Sequence, residues 1–492
     1  MKKIITSIIL FISLCFITNN NYAQEKDQCF NCHSEVVGGT PVELFKNDIH
    51  YKMGLSCADC HGGNSKTDDM DAAMSKSAGY IGVPKGNTIS EVCAKCHASK
   101  EKMASFGAHI PTNQFDLLKS SVHGQLSTNG KDRIVQCITC HGAHGIVKVT
   151  NPRSPVYPLN VPKTCAKCHS NSVFMRAYNP GLPIDQYEKY RTSVHGILNS
   201  KGDPKPAQCA SCHGSHGIKA VDDVNSSVYP VNIPGTCSKC HSNKKYMAKY
   251  KIPTDQYEKY SQSVHGIALL KKKDTGAPAC NSCHGNHAAT PPGISSISKV
   301  CGTCHALNAE LFASSPHKKA FDKDNYPECE TCHSNHLIIT ATDKLLGVSK
   351  GAVCAKCHTP EKNTKGYKVA KEMKSLIDSL EVAQKYAQSL IDNAEQKGME
   401  VEDEKFELRD AHQAVLEAKT AVHSFNEKKF NDVVVGKGLK VTSKVIKDAK
   451  ASIDEYYFRR KGLGVALIIT TLLAIGLYLF IKRYEKDQEK NT

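Results

Sequence analysis

Eleven copies of Cys-x-x-Cys-His run through the first 358 residues and take up 22 of the chain's 23 cysteines. The sites are Cys29/Cys32/His33, Cys57/Cys60/His61, Cys93/Cys96/His97, Cys137/Cys140/His141, Cys165/Cys168/His169 and Cys209/Cys212/His213. They continue with Cys237/Cys240/His241, Cys280/Cys283/His284, Cys301/Cys304/His305, Cys329/Cys332/His333 and Cys354/Cys357/His358. Two thiols at this spacing add to the two vinyl groups of one porphyrin, and the adjacent imidazole reaches its iron: this is the attachment signal of a c-type haem. Zinc ribbons and redox dithiols also begin Cys-x-x-Cys, but neither requires a histidine after every pair. The expectation is eleven covalent haems c, with all 22 thiols as equivalent attachment points.

That expectation constrains the rest. From Cys29 to His358 there are about 30 residues per site, too few to build an ordinary hydrophobic core around each. The porphyrins themselves must be the core, wrapped by loops and short helices, and the apoprotein is expected to be largely unfolded. The amino terminus carries Lys2 and Lys3, the apolar run Ile4–Ile17 and a polar stretch ending near Ala23, which is the pattern of a secretory signal over 1–23. Cys15 lies inside it and is discarded with it. Export agrees with haem attachment, which in bacteria takes place outside the cytoplasmic membrane. The net charge of +16 would ordinarily suggest nucleic acid. Eleven ferric haems with ionised propionates bring the exported chain to about +3, so the lysines serve as counterions and no nucleic-acid partner is expected.

The sites come in repeats. Three modules begin with Ser-Val-His-Gly at His123, His195 and His265, successive histidines being 72 and 70 residues apart. Each continues with Cys-x-x-Cys-His-Gly-x-His, ending at His144, His216 and His287, and closes with a second Cys-x-x-Cys-His. Looser copies flank them, one with His50 before Cys57 and Cys93, the other with His317 before Cys329 and Cys354 and with His336. Five two-haem modules and a leading single site at Cys29 account for all eleven. Prolines throughout the region (Pro152, Pro155, Pro158, Pro162, Pro204, Pro206, Pro291, Pro292) predict short helices and irregular backbone over 24–360, with little strand.

After Pro360 the pattern changes. Val369, Met373, Leu376, Leu380, Ala383, Ala387, Leu390 and Ala394 recur at helical spacing up to Gly398. Leu408, Ala411, Val415, Ala418, Val422 and Phe425 predict a second helix, and Val445, Ala449, Ile453 and Tyr456 a third. Residues 361–460 therefore form an antiparallel helical bundle. Leu463–Ile481 carries no charge and is long enough to cross a bilayer. Tyr456, Tyr457 and Phe458 supply an aromatic belt. The span is placed at 461–483, with 484–492 as a cytoplasmic tail and the haem head outside; basic residues flank both ends and do not set this orientation, which the export of the haems does.

Each Cys-x-x-Cys-His supplies one axial imidazole. Ten further histidines can supply the other: His50, His109, His123, His144, His195, His216, His265, His287, His317 and His336. Two extra histidines per two-haem module is the stoichiometry of bis-histidine ligation. In the first full module Asn64 occupies the place of His144; His109 is the candidate to compensate, and the leading haem at His33 still needs a ligand. Beyond the haem region only His412 and His423 remain, with His423 the better candidate ligand.

These motifs resemble the multihaem c-type cytochromes. Ser-Val-His-Gly and Cys-His-Gly-x-His are similar to elements of membrane-anchored multihaem electron carriers. Ala421-Val422-His423 in the helical tail resembles the carboxy-terminal helices of the nitrite reductase and hydroxylamine oxidoreductase group. The nitrite reductases of that group carry a lysine-ligated haem, and no Cys-x-x-Cys-Lys occurs here. The expectation is an electron carrier between a membrane donor or acceptor (the quinone pool or a cytochrome b subunit) and other redox proteins, with no catalytic residue of its own. A multihaem reductase or oxidase of a small nitrogen or sulfur oxyanion, working at one open iron near His33 or His61, is the alternative. An electron-storing or sensory protein is a third.

Overall fold

The computed structural model describes residues 27–128, 130–289, 297–362 and 364–490. The signal sequence expected over 1–23, with Cys15, lies outside them. The described residues are helical or irregular, with no strand and a single antiparallel bridge, Leu126 to Arg133. Two compact units result: Met1–Glu258 with His265–Gly293, and Lys259–Val264 with Ile294–Thr492.

The first unit is a succession of short helices, the longest being Asn87–His97. Most of its Cys-x-x-Cys-His motifs form either a five-residue helix of their own, such as Cys137–His141 and Cys209–His213, or the last turns of a longer one, such as Val161–His169 and Ile233–His241. Pro162 and Pro234 sit at the starts of the longer pair, where a missing N–H costs nothing. These prolines begin helices rather than merely interrupting them. The loop before each is tied by one asparagine: Asn160 donates to the carbonyls of Pro152 and Ser154, and Asn232 to those of Val224 and Ser226.

Little of the haem region is buried by polypeptide alone. Among the described residues, ten apolar side chains are buried between Phe45 and Ala352, against seventeen in the much shorter stretch Ala370–Ala449. The ten are scattered, which leaves the region without a protein core of its own and fits a core made of porphyrin.

The second unit joins the last motifs to the helical bundle. Helix α1 (Thr364–Gln396) ends before Gly398, whose φ of +77° turns the chain. Helix α2 (Glu402–Ala421) runs into a tight turn at 422–424, and α3 (Glu427–Val433) leads through a π-helical stretch into α4 (Lys440–Lys490). Ile377, Leu380, Phe430 and Val434 are buried in one cluster; Ala387, Ile391, Ala411 and Val445 are buried in another. Gly438 lies so close to Leu380 that a Cβ there would stand 2.6 Å from its side chain. The amphipathic period seen in the sequence is therefore the packed face. Beyond the bundle, α4 continues as a helix long and apolar enough to cross a membrane, with mean hydropathy 2.5 and its apolar side chains exposed.

Candidate haem-binding sites

The four residues of Ser-Val-His-Gly have separate tasks. The serine caps the turn: buried Ser121 accepts from the Gly124 N–H, and buried Ser193 from the Gly196 N–H. The valine N–H reaches the next module, two residues past its Cys-His-Gly-x-His histidine: Val122 donates to Ile218 O and Val194 to Ala289 O. Ile49 to Ile146 and Val264 to Ile338 make the same bond. The glycine is needed for contact, since a Cβ at Gly124 or Gly196 would meet the Leu118 or Tyr190 carbonyl oxygen at 2.0 Å. The histidine between them is thereby held by its own module and by the next.

The glycine of Cys-His-Gly-x-His turns the chain away from the motif helix. Gly62, Gly142, Gly214 and Gly285 have φ of +70°, +82°, +79° and +77° with ψ close to 180°. That region is essentially reserved for glycine. After the turn the segment lies against the preceding module, with Gly145 against Leu44 and Gly217 against Leu117.

The outcome is a set of facing imidazoles. His61 and His144 have ring centres 6.1 Å apart, His141 and His216 6.1 Å, His213 and His287 6.0 Å, and His333 and His423 6.0 Å. These four pairs are close to parallel, with interplanar angles of 9°, 3°, 8° and 20°. The second motif of a module faces its own Ser-Val-His: His97 with His50 at 5.9 Å, His169 with His123 at 6.1 Å, His241 with His195 at 6.2 Å and His358 with His317 at 5.8 Å. These pairs are inclined, at 86°, 47°, 59° and 85°. Two metal–nitrogen bonds of about 2 Å, plus the distance from each nitrogen to its ring centre, require about 6 Å. Among the described residues no three His, Cys, Asp or Glu side chains converge as they would on zinc. Imidazoles facing each other beside a pair of free thiols fit covalent haem.

The sequence gives no rule for which histidine serves which motif, and the structure supplies one. The first motif of a module faces the Cys-His-Gly-x-His histidine of the following module, and the last, at His333, faces His423 from the helical tail. Asn64 consequently does not leave His61 without a partner, and His109, which is exposed and faces no imidazole, does not substitute for it. His412 is exposed on α2. His33 is exposed, and no described imidazole faces it. His265, His284, His305 and His336 keep the proximal and distal places that the repeat gives them.

Burial lowers the pKa of most of these rings, among them His123, His141, His195, His213 and His423, and favours the neutral form that binds a metal. Backbone oxygens take up the second nitrogen of some: His61 Nδ1 lies 2.9 Å from Gly82 O, and His423 Nδ1 3.1 Å from Thr420 O. His50 differs, because its Nδ1 lies 2.8 Å from Asp48 Oδ1. Asp48 is 1% exposed and stands where other modules have the capping serine. Burial pushes its carboxyl up, but hydrogen bonds from His50 and Ile146 outweigh this and hold it below the usual range. Asp48, Gly124, Gly196, Asn160 and Asn232 are the positioning residues that motif counting overlooks.

Attachment points of neighbouring motifs also meet. The thiols of Cys93 and Cys137, Cys165 and Cys209, Cys237 and Cys280, and Cys301 and Cys329 hydrogen-bond to one another. Cys57 feels the charge of Cys29, Cys60 that of Cys96, Cys140 that of Cys168 and Cys212 that of Cys237. Within each unit the motifs thus form an unbroken row.

The thiols are not equivalent, contrary to the expectation from motif spacing. Cys32, Cys283, Cys304 and Cys357 are exposed, whereas the other eighteen described motif cysteines are half-buried. Each of the four is the second cysteine of a motif at the end of a row. Cys32 and Cys283 belong to the first and last motifs of the first unit, and Cys304 and Cys357 to the first and last motifs of the second. An interior motif has neighbours on both sides to cover its second thiol; a terminal motif has a neighbour on one side only. Exposure leaves these four able to form thioethers, since the thiol must be reachable when haem arrives, but polypeptide shields their attachment points less than the rest.

The family model for cytochrome c3 matches residues 49–173 and 203–306. Comparisons with curated proteins and with solved structures return no match. The family match falls on the motifs whose thiols and imidazoles are brought together here, and the chain is a multihaem c-type cytochrome.

Proposed function

We propose that this cytochrome is a membrane-anchored electron conduit with one haem c at each of its eleven motifs. The reading rests on the eight facing imidazole pairs. When bound, haem supplies a one-electron iron couple, and the chain does the rest. Two imidazoles occupy both axial positions and exclude substrate, so these sites are suited to electron transfer alone. The row of touching thiols favours close porphyrin edges, and tunnelling falls exponentially with edge separation. Neutral rings, backbone acceptors and the Asp48 carboxylate tune individual sites.

The apolar part of α4 anchors the chain in the membrane, with the haem domain on the exported side and residues 484–492 in the cytoplasm. A single span without a histidine pair has no haem b site, so the membrane partner is a quinone pool or a separate cytochrome b subunit. Soluble redox proteins are the partners at the other end.

Rapid mixing tests the conduit. Fully reduced protein should pass its electrons to ferric soluble acceptors of different structure at comparable rates. Nitrite, hydroxylamine and tetrathionate should be consumed no faster than by a simple bis-histidine cytochrome. Rapid, saturable turnover of one of them would replace the conduit by an oxidoreductase.

A further inference from the structure

We propose that the leading site, Cys29/Cys32/His33, keeps one axial face of its iron open to a small uncharged ligand, with Asn64 standing where the other modules supply a histidine. The inference rests on the haem reading above and adds a binding site that the conduit does not require. The forward register carries it. The histidine after Cys-His-Gly closes the first motif of the preceding module at His61, His141 and His213. Applied once more, the same rule assigns position 64 to His33. The backbone agrees: Gln28 N–H donates to Ser65 O at 2.9 Å, and Cys57 N–H to Asp27 Oδ2 at 3.0 Å, so the segment after Cys57 folds onto the leading motif.

Asn64 cannot replace an imidazole as a strong iron ligand. Its Oδ1 accepts from the Lys66 N–H at 3.0 Å, which leaves the amide NH2 as a donor for a bound molecule. His33 is exposed, so a small molecule has access. Eight carboxylates stand against three lysines between Asp27 and Ala72, and haem propionates add further negative charge. This field disfavours nitrite, sulfite and other anions, and leaves uncharged molecules as the fitting class.

Carbon monoxide titration of the dithionite-reduced, full-length protein tests this, with haem counted by intact mass. The wild type should carry eleven haems and bind one carbon monoxide per chain. The Cys29→Ala/Cys32→Ala variant should carry ten haems and bind none. Asn64→His should keep eleven and bind none, and His144→Ala should bind two. In the ferric protein, imidazole should bind at a concentration at least tenfold below that needed for nitrite. Eleven haems with no carbon monoxide bound, or binding that persists without the leading haem, overturns the open site. Retention in Asn64→His overturns the role of position 64, and tighter nitrite binding overturns the uncharged class. Absence of covalent haem altogether would instead sink the conduit reading itself.

Discussion

A methyl group at Gly196 would meet the Tyr190 carbonyl oxygen at 2.0 Å, which backbone cannot absorb without moving the His195 turn. Gly196→Ala should therefore destabilise the holoprotein by about 1–3 kcal/mol, the usual range for forced overpacking. Gly235→Ala, in the helix Ile233–His241 and with open space around its Cβ, should be neutral or stabilising by about 0.5–1 kcal/mol. Thermal unfolding of the two variants beside the wild type checks the contrast, and equal effects would show that the close approach is not limiting. Asp48 offers a second residue-scale test. Its carboxylate makes the His50 ring a stronger donor and so favours ferric iron at the site shared with His97. If Asp48→Ser, which installs the residue of the other modules, weakens ferric relative to ferrous ligation tenfold, one potential should rise by about 59 mV. Spectropotentiometric titration would resolve it, and an unchanged set of potentials would remove Asp48 from the tuning groups.

Among the elements, the helical tail has two separable tasks. Its bundle is packed by Leu380, Ile391, Phe430 and Val445, all fully buried, and it presents His423 to His333. Its last helix supplies the apolar span. A chain ending at Glu455 keeps the buried residues and should be exported, haem-loaded and free of the membrane; membrane retention would require a second anchor. A chain ending at Thr359 loses His423, and the iron at His333 should turn high-spin while its thioethers stay intact. An unaltered spin state there would remove His423 from the ligands. Helix periodicity made α1, α2 and α4 legible before any coordinates, because their apolar faces repeat at 3.6 residues. The motif helices were legible from Cys-x-x-Cys-His. The pairing was not. The partner of His61 lies 83 residues on, and the bond that fixes it, Ile49 to Ile146, joins backbone atoms that leave no trace in residue identity. The exposure of Cys283, Cys304 and Cys357 was hidden for a related reason, since it depends on where each row of motifs ends in space and every motif reads alike. Ser334 shows the same limit: it holds the glycine-only conformation, φ 66° and ψ −178°, in a motif where the other modules have glycine.

For the molecule as a whole, the central claim is that paired imidazoles close the irons and leave one open at the start of the row. Imidazole planes that lie parallel pull on the same iron d orbital and give an ordinary rhombic low-spin spectrum, whereas strongly inclined planes give a large maximum g value. The pairs at His61, His141, His213 and His333 are within 20° of parallel, and those at His97, His169, His241 and His358 are inclined by 47° to 86°. Two low-spin populations of comparable size should therefore coexist in the oxidised protein. The most direct test is a spin-quantified electron paramagnetic resonance spectrum of that fully oxidised, full-length protein. The account predicts both low-spin classes and a single high-spin haem per chain, lost when Cys29 and Cys32 are replaced. Several high-spin haems, or a high-spin signal that survives loss of the leading site, would contradict it.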